Sequence, residues 1–299
     1  MSGDLVLSAF PGIDLLGRAF EVLNEARDRY PSGAIVGLYS GGHDSTVATH
    51  LSLPFLSHAA HIITGTGIPE TDAYVAERCE EWGLPLINLV TPPEVYRNYV
   101  LGELTRRPDN KERSGFPGPS AHQSVYWYLK QSRLAELNRM FRPRRSPTWI
   151  IHVTGIRRQE SARRRSRQMS KQPIQEDRRH GNIVWVNPIL DWSARDIRVY
   201  MEHHRIPTNP VVDSLHRSGE CLCGAFAKSS DLREIEFFYP EAARPLRELE
   251  LEVARRGLPN ARWGGQGRVT IPREQLGLPL CSSCELRALP AREPQGAPA

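Results

Sequence analysis

Short apolar runs alternate with amphipathic stretches from residue 34 to about 206, which predicts an α/β fold. The expected architecture is doubly wound, with a mostly parallel five-stranded sheet and a cysteine-containing C-terminal extension. Two further observations shape that reading. A glycine-rich junction, YSGGHDST, follows the first apolar run directly, and two close cysteine pairs occupy the segment beyond residue 215.

The elements follow in order. Apolar residues at helical spacing over 13–28 predict an amphipathic first helix. AIVGLYS (34–40) has the length of a buried strand, and AHIITGTGI (60–68) reads as the second. PETDAYVAERCEEWG then predicts a helix with Pro69 near its start and Gly83 past its end. PLINLVT (85–91) is the third strand, a helix follows near Glu94–Leu104, and residues 106–120 carry the charge, Pro and Gly of an exposed loop. A helix over 124–141 leads to the fourth strand, TWIIHVTG (148–155), and IVWVNPI (183–189) is the fifth. The helix over 192–206 has Ser193 or Asp191 as its cap, and 230–256 reads as one long helical stretch.

The chain has 299 residues, enough for one large α/β domain with appendages. No apolar run approaches the roughly 18 to 20 residues of a membrane span. The N-terminus shows no basic segment followed by an apolar core, so no membrane partner and a cytoplasmic location are expected. The net charge of +5 favours anionic partners, and with only four lysines (Lys111, Lys130, Lys171, Lys228) nearly all the positive charge is arginine. An arginine-rich codon usage and phosphate recognition both produce that bias.

At the junction, glycines let the backbone turn sharply and approach a ligand without a Cβ clash. The free amides of the following helical turn, aided by the helix dipole, suit an anion such as pyrophosphate. Ser40, Ser45 and Thr46 can donate to phosphate oxygens, Gly41 and Gly42 supply close backbone, and Asp44 can hold Mg²⁺. The stretch is neither a Walker loop nor a dinucleotide GxGxxG. It resembles the SGGxDS PP-loop of the adenine nucleotide α-hydrolase (HUP-type) proteins, which include ATP pyrophosphatases and the phosphoadenylylsulfate (PAPS) reductase-like family. Three more segments carry the resemblance in the family's order: TGTGIPET (64–71), TGIRRQESARRRSR (154–167) and NPILDWSARDIRVYMEHHRIPTNPVVD (187–213). It covers about residues 30–215, and it implies that Thr64, Gly65 and Gly155 lie beside the nucleotide.

Arg157 and Arg158 follow the fourth strand's carboxyl end, where open α/β sheets bind ligands. By the resemblance, Arg157, Arg158 and Arg163 contact anionic substrate, and Asp44, Arg157 and Arg158 form the catalytic set with ATP and Mg²⁺. The neighbouring arginines, with Arg178, Arg179 and His180, could extend a basic strip toward nucleic acid.

Cys221 and Cys223, then Cys281 and Cys284, supply four thiolates in two chelating pairs. Zinc with four sulfurs is one option, although its knuckles commonly use two residues between cysteines. Iron–sulfur clusters accept varied spacings, and relatives in the resembling family carry a [4Fe-4S] cluster, which makes the cluster the preferred cofactor. Cys79 reads as a small core residue.

The expected organisation is an N-terminal helical segment (1–32), a nucleotide-binding α/β domain (33–215), a metal-binding C-terminal region (216–290) and a disordered tail (291–299). The resemblance implies an enzyme that cleaves ATP at the α phosphate to activate an acceptor for sulfur transfer, thiolating a nucleic acid or nucleotide with a sulfur-donor protein. One alternative is a phosphoadenylylsulfate or adenylylsulfate reductase. Against it stand the retained Asp44 and the lack of the Glu-Cys-Gly-Leu-His segment those reductases use, which Glu220-Cys221 echoes only in part. A second alternative is a non-catalytic, nucleotide-dependent nucleic-acid-binding protein.

Overall fold

The structure is a computed structural model, and it describes residues 13–104, 114–141, 148–159, 172–178 and 181–265. One sheet organises the molecule. Its strands are β1 (Ser32–Leu38), β2 (His58–Ile63), β3 (Leu86–Val90), β4 (Trp149–Val153), β5 (Ile174–Asp177) and β6 (Ile183–Val186). They lie in the order β3-β2-β1-β4-β6-β5, all parallel except β5, which runs antiparallel to β6. The five expected strands are the parallel ones, so among the described residues the sheet has six strands rather than five. The sixth was missed because IQED carries one apolar residue and sits at an edge, where neither face needs a hydrophobic pattern.

Helix α1 (Ile13–Arg29), α2 (His43–Leu51), α3 (Pro69–Glu81) and a later helix, Ala194–His203, cover one face of the sheet. Leu16, Ala19 and Leu23 of α1 pack with Val47, Ile151, Val184 and Ile197, so the first helix is part of the sheet's own core. On the other face Ala34, Val36, Ala60, Ile62 and Leu89 meet Leu137. Leu137 lies in a broken helix: α4 (Pro93–Val100) is followed by α5 (His122–Tyr126), a π-helical turn over Trp127–Gln131, and α6 (Ser132–Phe141).

The remaining α-helices among the described residues are α7 (Ala194–His203), α8 (Pro210–Leu215), α9 (Ser229–Phe238) and α10 (Pro240–Arg255). Ser193 caps α7 in a full capping box with Asp196, while Asp191 is engaged elsewhere. The single helix expected over 230–256 is two, because Pro240 has no amide to continue the first and instead starts the second. Residues 215–263 share a second core with α4 and α5: Leu222, Leu232, Ile235 and Trp263 pack with Val100, Phe116 and Val125.

Candidate functional site

The sheet order reverses at β1, whose neighbours are β2 on one side and β4 on the other. Ligands of open α/β sheets bind outside the carboxyl ends at such a switch point. The Tyr39–Gly42 loop leaves β1 there and starts α2, and Thr154–Arg157 leaves β4 beside it.

The loop is shaped by anchored carbonyls. The Tyr39 oxygen lies 2.7 Å from His61 Nδ1, and the Gly41 oxygen accepts from Asn209 Nδ2 at 2.9 Å. The Gly42 oxygen accepts from the Thr46 amide, Ser45 Oγ and Thr46 Oγ1 at 2.9, 2.9 and 3.0 Å. In a trans peptide C=O and N–H point opposite ways, so the amides of Gly42 and His43 face away from these anchors. With the first-turn amides of α2, which have no intrahelical partner, they make a set of backbone donors at the start of the helix.

Close packing explains two glycines. Gly41 has φ +75°, and a Cβ there would stand 2.8 Å from Thr71 Cγ2. A Cβ on Gly155 would stand 2.6 Å from the backbone of Asp44 and Ser45, so only glycine lets the β4 loop rest on the first turn of α2.

The expected side chains divide into two groups. Ser40 and Ser45 face each other at 2.9 Å between hydroxyl oxygens, at the loop itself. Thr46 is fully buried and its hydroxyl is spent on Gly42 and Tyr39, unlike those of Ser40 and Ser45, which bond each other. Thr64 is likewise buried, donating to the Glu220 carbonyl at 2.8 Å, and Gly65, at φ +72°, packs against Thr91 and Pro93.

Both arginines have carboxylate partners. Arg157 is buried, with Nε 2.9 Å from Asp44 Oδ2; the contact is an ion pair out of line for a hydrogen bond. Arg158 Nε donates to Asp191 at 2.5 Å and its amide donates to Leu190. A Mg²⁺ ion on Asp44 would therefore compete with Arg157. Arg163 and Arg179, with His180, Cys281 and Cys284, lie outside the described residues.

Residues that sequence reasoning missed hold this arrangement together. Asn209 is buried, clamps Gly41, contacts Thr71 Oγ1 at 3.2 Å and caps α8 through Val211 N. Thr71 in turn donates to the Ser218 carbonyl. Both lie in segments that carried the family resemblance, at positions where spacing alone assigns no partner.

The segment after α8 is strapped across the same edge. Ile68 N donates to Gly219 O at 2.9 Å, and Leu222 N to Thr66 Oγ1 at 3.3 Å. This strap carries Cys221 and Cys223 to a cavity of ≈ 650 Å³, lined also by Ile156, Lys130, Tyr126, His122 and Phe226. Lys130, placed by the π-helical turn, donates to Glu220 Oε2 at 2.8 Å. The Cys221 thiol is drawn down by its hydrogen bond with Cys223 and, against the opposing effect of burial, by the Lys130 charge. Cys79 is buried and pushed up to about 11 by desolvation, which makes it a core residue. Among the described residues no group of three or more His, Cys, Asp or Glu is arranged to hold a metal ion.

A glycine loop of SGGxDS pattern at the switch point of a doubly wound sheet makes this an α/β protein with its candidate ligand site at the β1–α2 junction. The phosphoadenosine phosphosulfate reductase domain family matches residues 34–223, and the chain belongs to that family. It is 27% identical over 185 residues to a phosphoadenosine 5'-phosphosulfate reductase of Alkalilimnicola ehrlichii, covering 61% of this chain and 66% of that protein. A protein of the same name from Xylella fastidiosa is 28% identical over 174 residues, covering 58% and 64%. The chain thus spans just under two thirds of these relatives. Among solved structures, a phosphoadenylyl-sulfate reductase of Candida auris in its phosphate complex superimposes with a TM-score of 0.45 at 14% identity, covering 65% of this chain and 83% of that one. No helix among the described residues is long and apolar enough to cross a membrane.

Proposed function

We propose that this enzyme binds an adenine nucleotide with its anionic end on the Ser40–Ser45 loop and reduces a phosphoadenylyl sulfate or adenylyl sulfate. The observation that carries the reading is the strap: the segment bonded to Thr64, Thr66 and Ile68 brings Cys221 to the same sheet edge as the loop. The family match runs through this segment to residue 223, and the relatives quoted are named as reductases.

In this reading the Cys221 thiolate attacks the sulfate sulfur. An S–S bond forms, the bond from sulfur to the 5′-phosphate oxygen breaks, and the nucleotide leaves with the electron pair. One thiol of a dithiol reductant then attacks Cys221 Sγ, releasing sulfite and leaving a mixed disulfide, and the reductant's other thiol attacks its own sulfur in that bond, closing the reductant's disulfide and freeing the Cys221 thiol. Loop amides hold the phosphate that becomes the leaving group, where a fixed dipole stabilises developing charge without reorganisation. The retained Asp44 does not oppose this reading, because its pairing with Arg157 gives it a task without Mg²⁺.

ATP-driven sulfur transfer is the second reading, favoured by the intact SGGxDS loop. There Cys221 and Cys223 would contribute two thiolates to a four-sulfur site; their adjoining thiols at a cavity fit a soft metal. Such a cluster would supply electrons or fold stability. Sulfite release from either nucleotide sulfate with a dithiol, abolished by Cys221→Ser while nucleotide affinity stays within about twofold, is the result expected. Cleavage of ATP to AMP and pyrophosphate without sulfite, in protein carrying stoichiometric iron and sulfide, would replace the reductase reading with the second.

A further inference from the structure

The peptide between Tyr39 and Ser40 opens the anion loop, and a histidine of the neighbouring strand holds it. His61 is 1% exposed on the α3 face of β2. Its Nδ1 lies 2.7 Å from the Tyr39 carbonyl oxygen, and its Nε2 lies 2.8 Å from Asp72 Oδ1 on α3. A carbonyl oxygen and an ionised carboxylate only accept hydrogen bonds. Each contact therefore requires an N–H on the ring, and an imidazole with two N–H groups is a cation.

We propose that His61 is a positioning residue of the anion site: a buried imidazolium whose Nδ1–H holds the Tyr39 carbonyl inward and whose charge stands one peptide behind the loop's donors. The Ser40 amide, on the opposite side of the same peptide plane, is thereby presented toward Ser45 Oγ, 3.3 Å away. The inference rests on the reading of the loop as an anion site. A neutral ring could satisfy only one of its two acceptors, so losing the proton would free either the loop or Asp72.

The surroundings support the cation. Burial by itself favours the neutral ring, but the Asp72 hydrogen bond, the Glu220 charge and the Tyr39 carbonyl outweigh it, and the pKa stands above the ordinary histidine value. The charged groups facing it are Asp72 from α3 and Glu220 from the strap, the latter already paired with Lys130. Its register neighbour on β3 is the uncharged Asn88.

The test uses the full chain labelled with ¹⁵N-histidine, and inorganic pyrophosphate as probe. At neutral pH both His61 ring nitrogens are expected at imidazolium shifts in ligand-free protein. Titration calorimetry is expected to show pyrophosphate affinity reduced about thirtyfold in His61→Phe, which lacks donor and charge, and about fivefold in His61→Asn, whose amide can still reach Tyr39. Wild-type affinity should fall as pH rises through the ring's pKa, and His61→Asn should lose that dependence. A pyridine-like nitrogen on His61 in the folded wild-type protein at pH 7 overturns the proposal. So do two folded variants that bind pyrophosphate like the wild type. If His61→Phe does not fold, His61→Asn and the wild-type spectrum decide. A wild-type chain that binds neither pyrophosphate nor any adenine nucleotide sinks the anion-site reading instead, and the ring's protonation then decides His61 by itself.

Discussion

The two halves of the site are built on opposite plans. At the glycine loop the side chains act as braces: Asn209, His61, Ser45 and Thr46 hold carbonyls, and Arg157 holds Asp44, while the amides of Gly42 and His43 lie on the far side of the braced peptides. At the strap the backbone is committed to Thr64, Thr66 and Ile68, and the side chains Cys221, Cys223 and Lys130 face the cavity. The contrast teaches where sensitivity lies. A backbone site tolerates loss of its hydroxyls but depends on buried residues behind the loop, whereas a side-chain site fails with one thiol.

The sharpest way to break that comparison is Gly155→Ala. Its methyl would meet the Asp44–Ser45 backbone at 2.6 Å, so the β4 loop must lift off α2. Strain of about 3 kcal/mol corresponds to roughly a hundredfold loss of nucleotide affinity, measured by calorimetry. An affinity unchanged in folded protein would mean that the loop's amides are not the binding surface. Asn209→Ala comes next. It removes the Gly41 clamp and the α8 cap together, costing about 1–2 kcal/mol in urea unfolding, and pyrophosphate binding should weaken about tenfold while thiol reactivity at Cys221 stays unchanged. Weakening of both would show that the halves are coupled.

The smallest effect concerns the sheet that carries both. The buried His152 on β4 and the half-buried His50 on α2 are held near pH 4, chiefly by desolvation. Their unfolded value is about 6.5, so between these limits the unfolded chain binds more protons and stability falls as pH drops. Urea midpoints at pH 7.5 and pH 5 should differ in the wild type, and the difference should shrink in His152→Gln. An equal midpoint at both pH values would show that these rings stay neutral for no thermodynamic gain.

Much of this was legible in the linear chain. The parallel strands, the glycine loop at the first of them and the Ser193 cap all declare themselves through spacing of a few residues, as does the close pairing of Cys221 and Cys223. Strand β5 did not, because an edge strand of four residues needs no apolar alternation. The break at Tyr239 was masked by helical periodicity on both sides of Pro240. Thr46 looked like a phosphate ligand from its place in the motif, yet one turn of helix rotates its hydroxyl onto Gly42 and Tyr39.

By itself the sequence determined the alternating pattern, the loop between β1 and α2 and the identity of the chemistry-bearing residues, since backbone preference and side-chain period act over one or two turns. Only the tertiary structure decided which groups face a ligand and which are already spent. The Asn209–Gly41 bond spans 168 positions and the Thr64–Glu220 bond spans 156. No local propensity encodes such partners; they exist because closing the sheet brings β1, β2 and the strap to one edge, where every buried donor must find an acceptor.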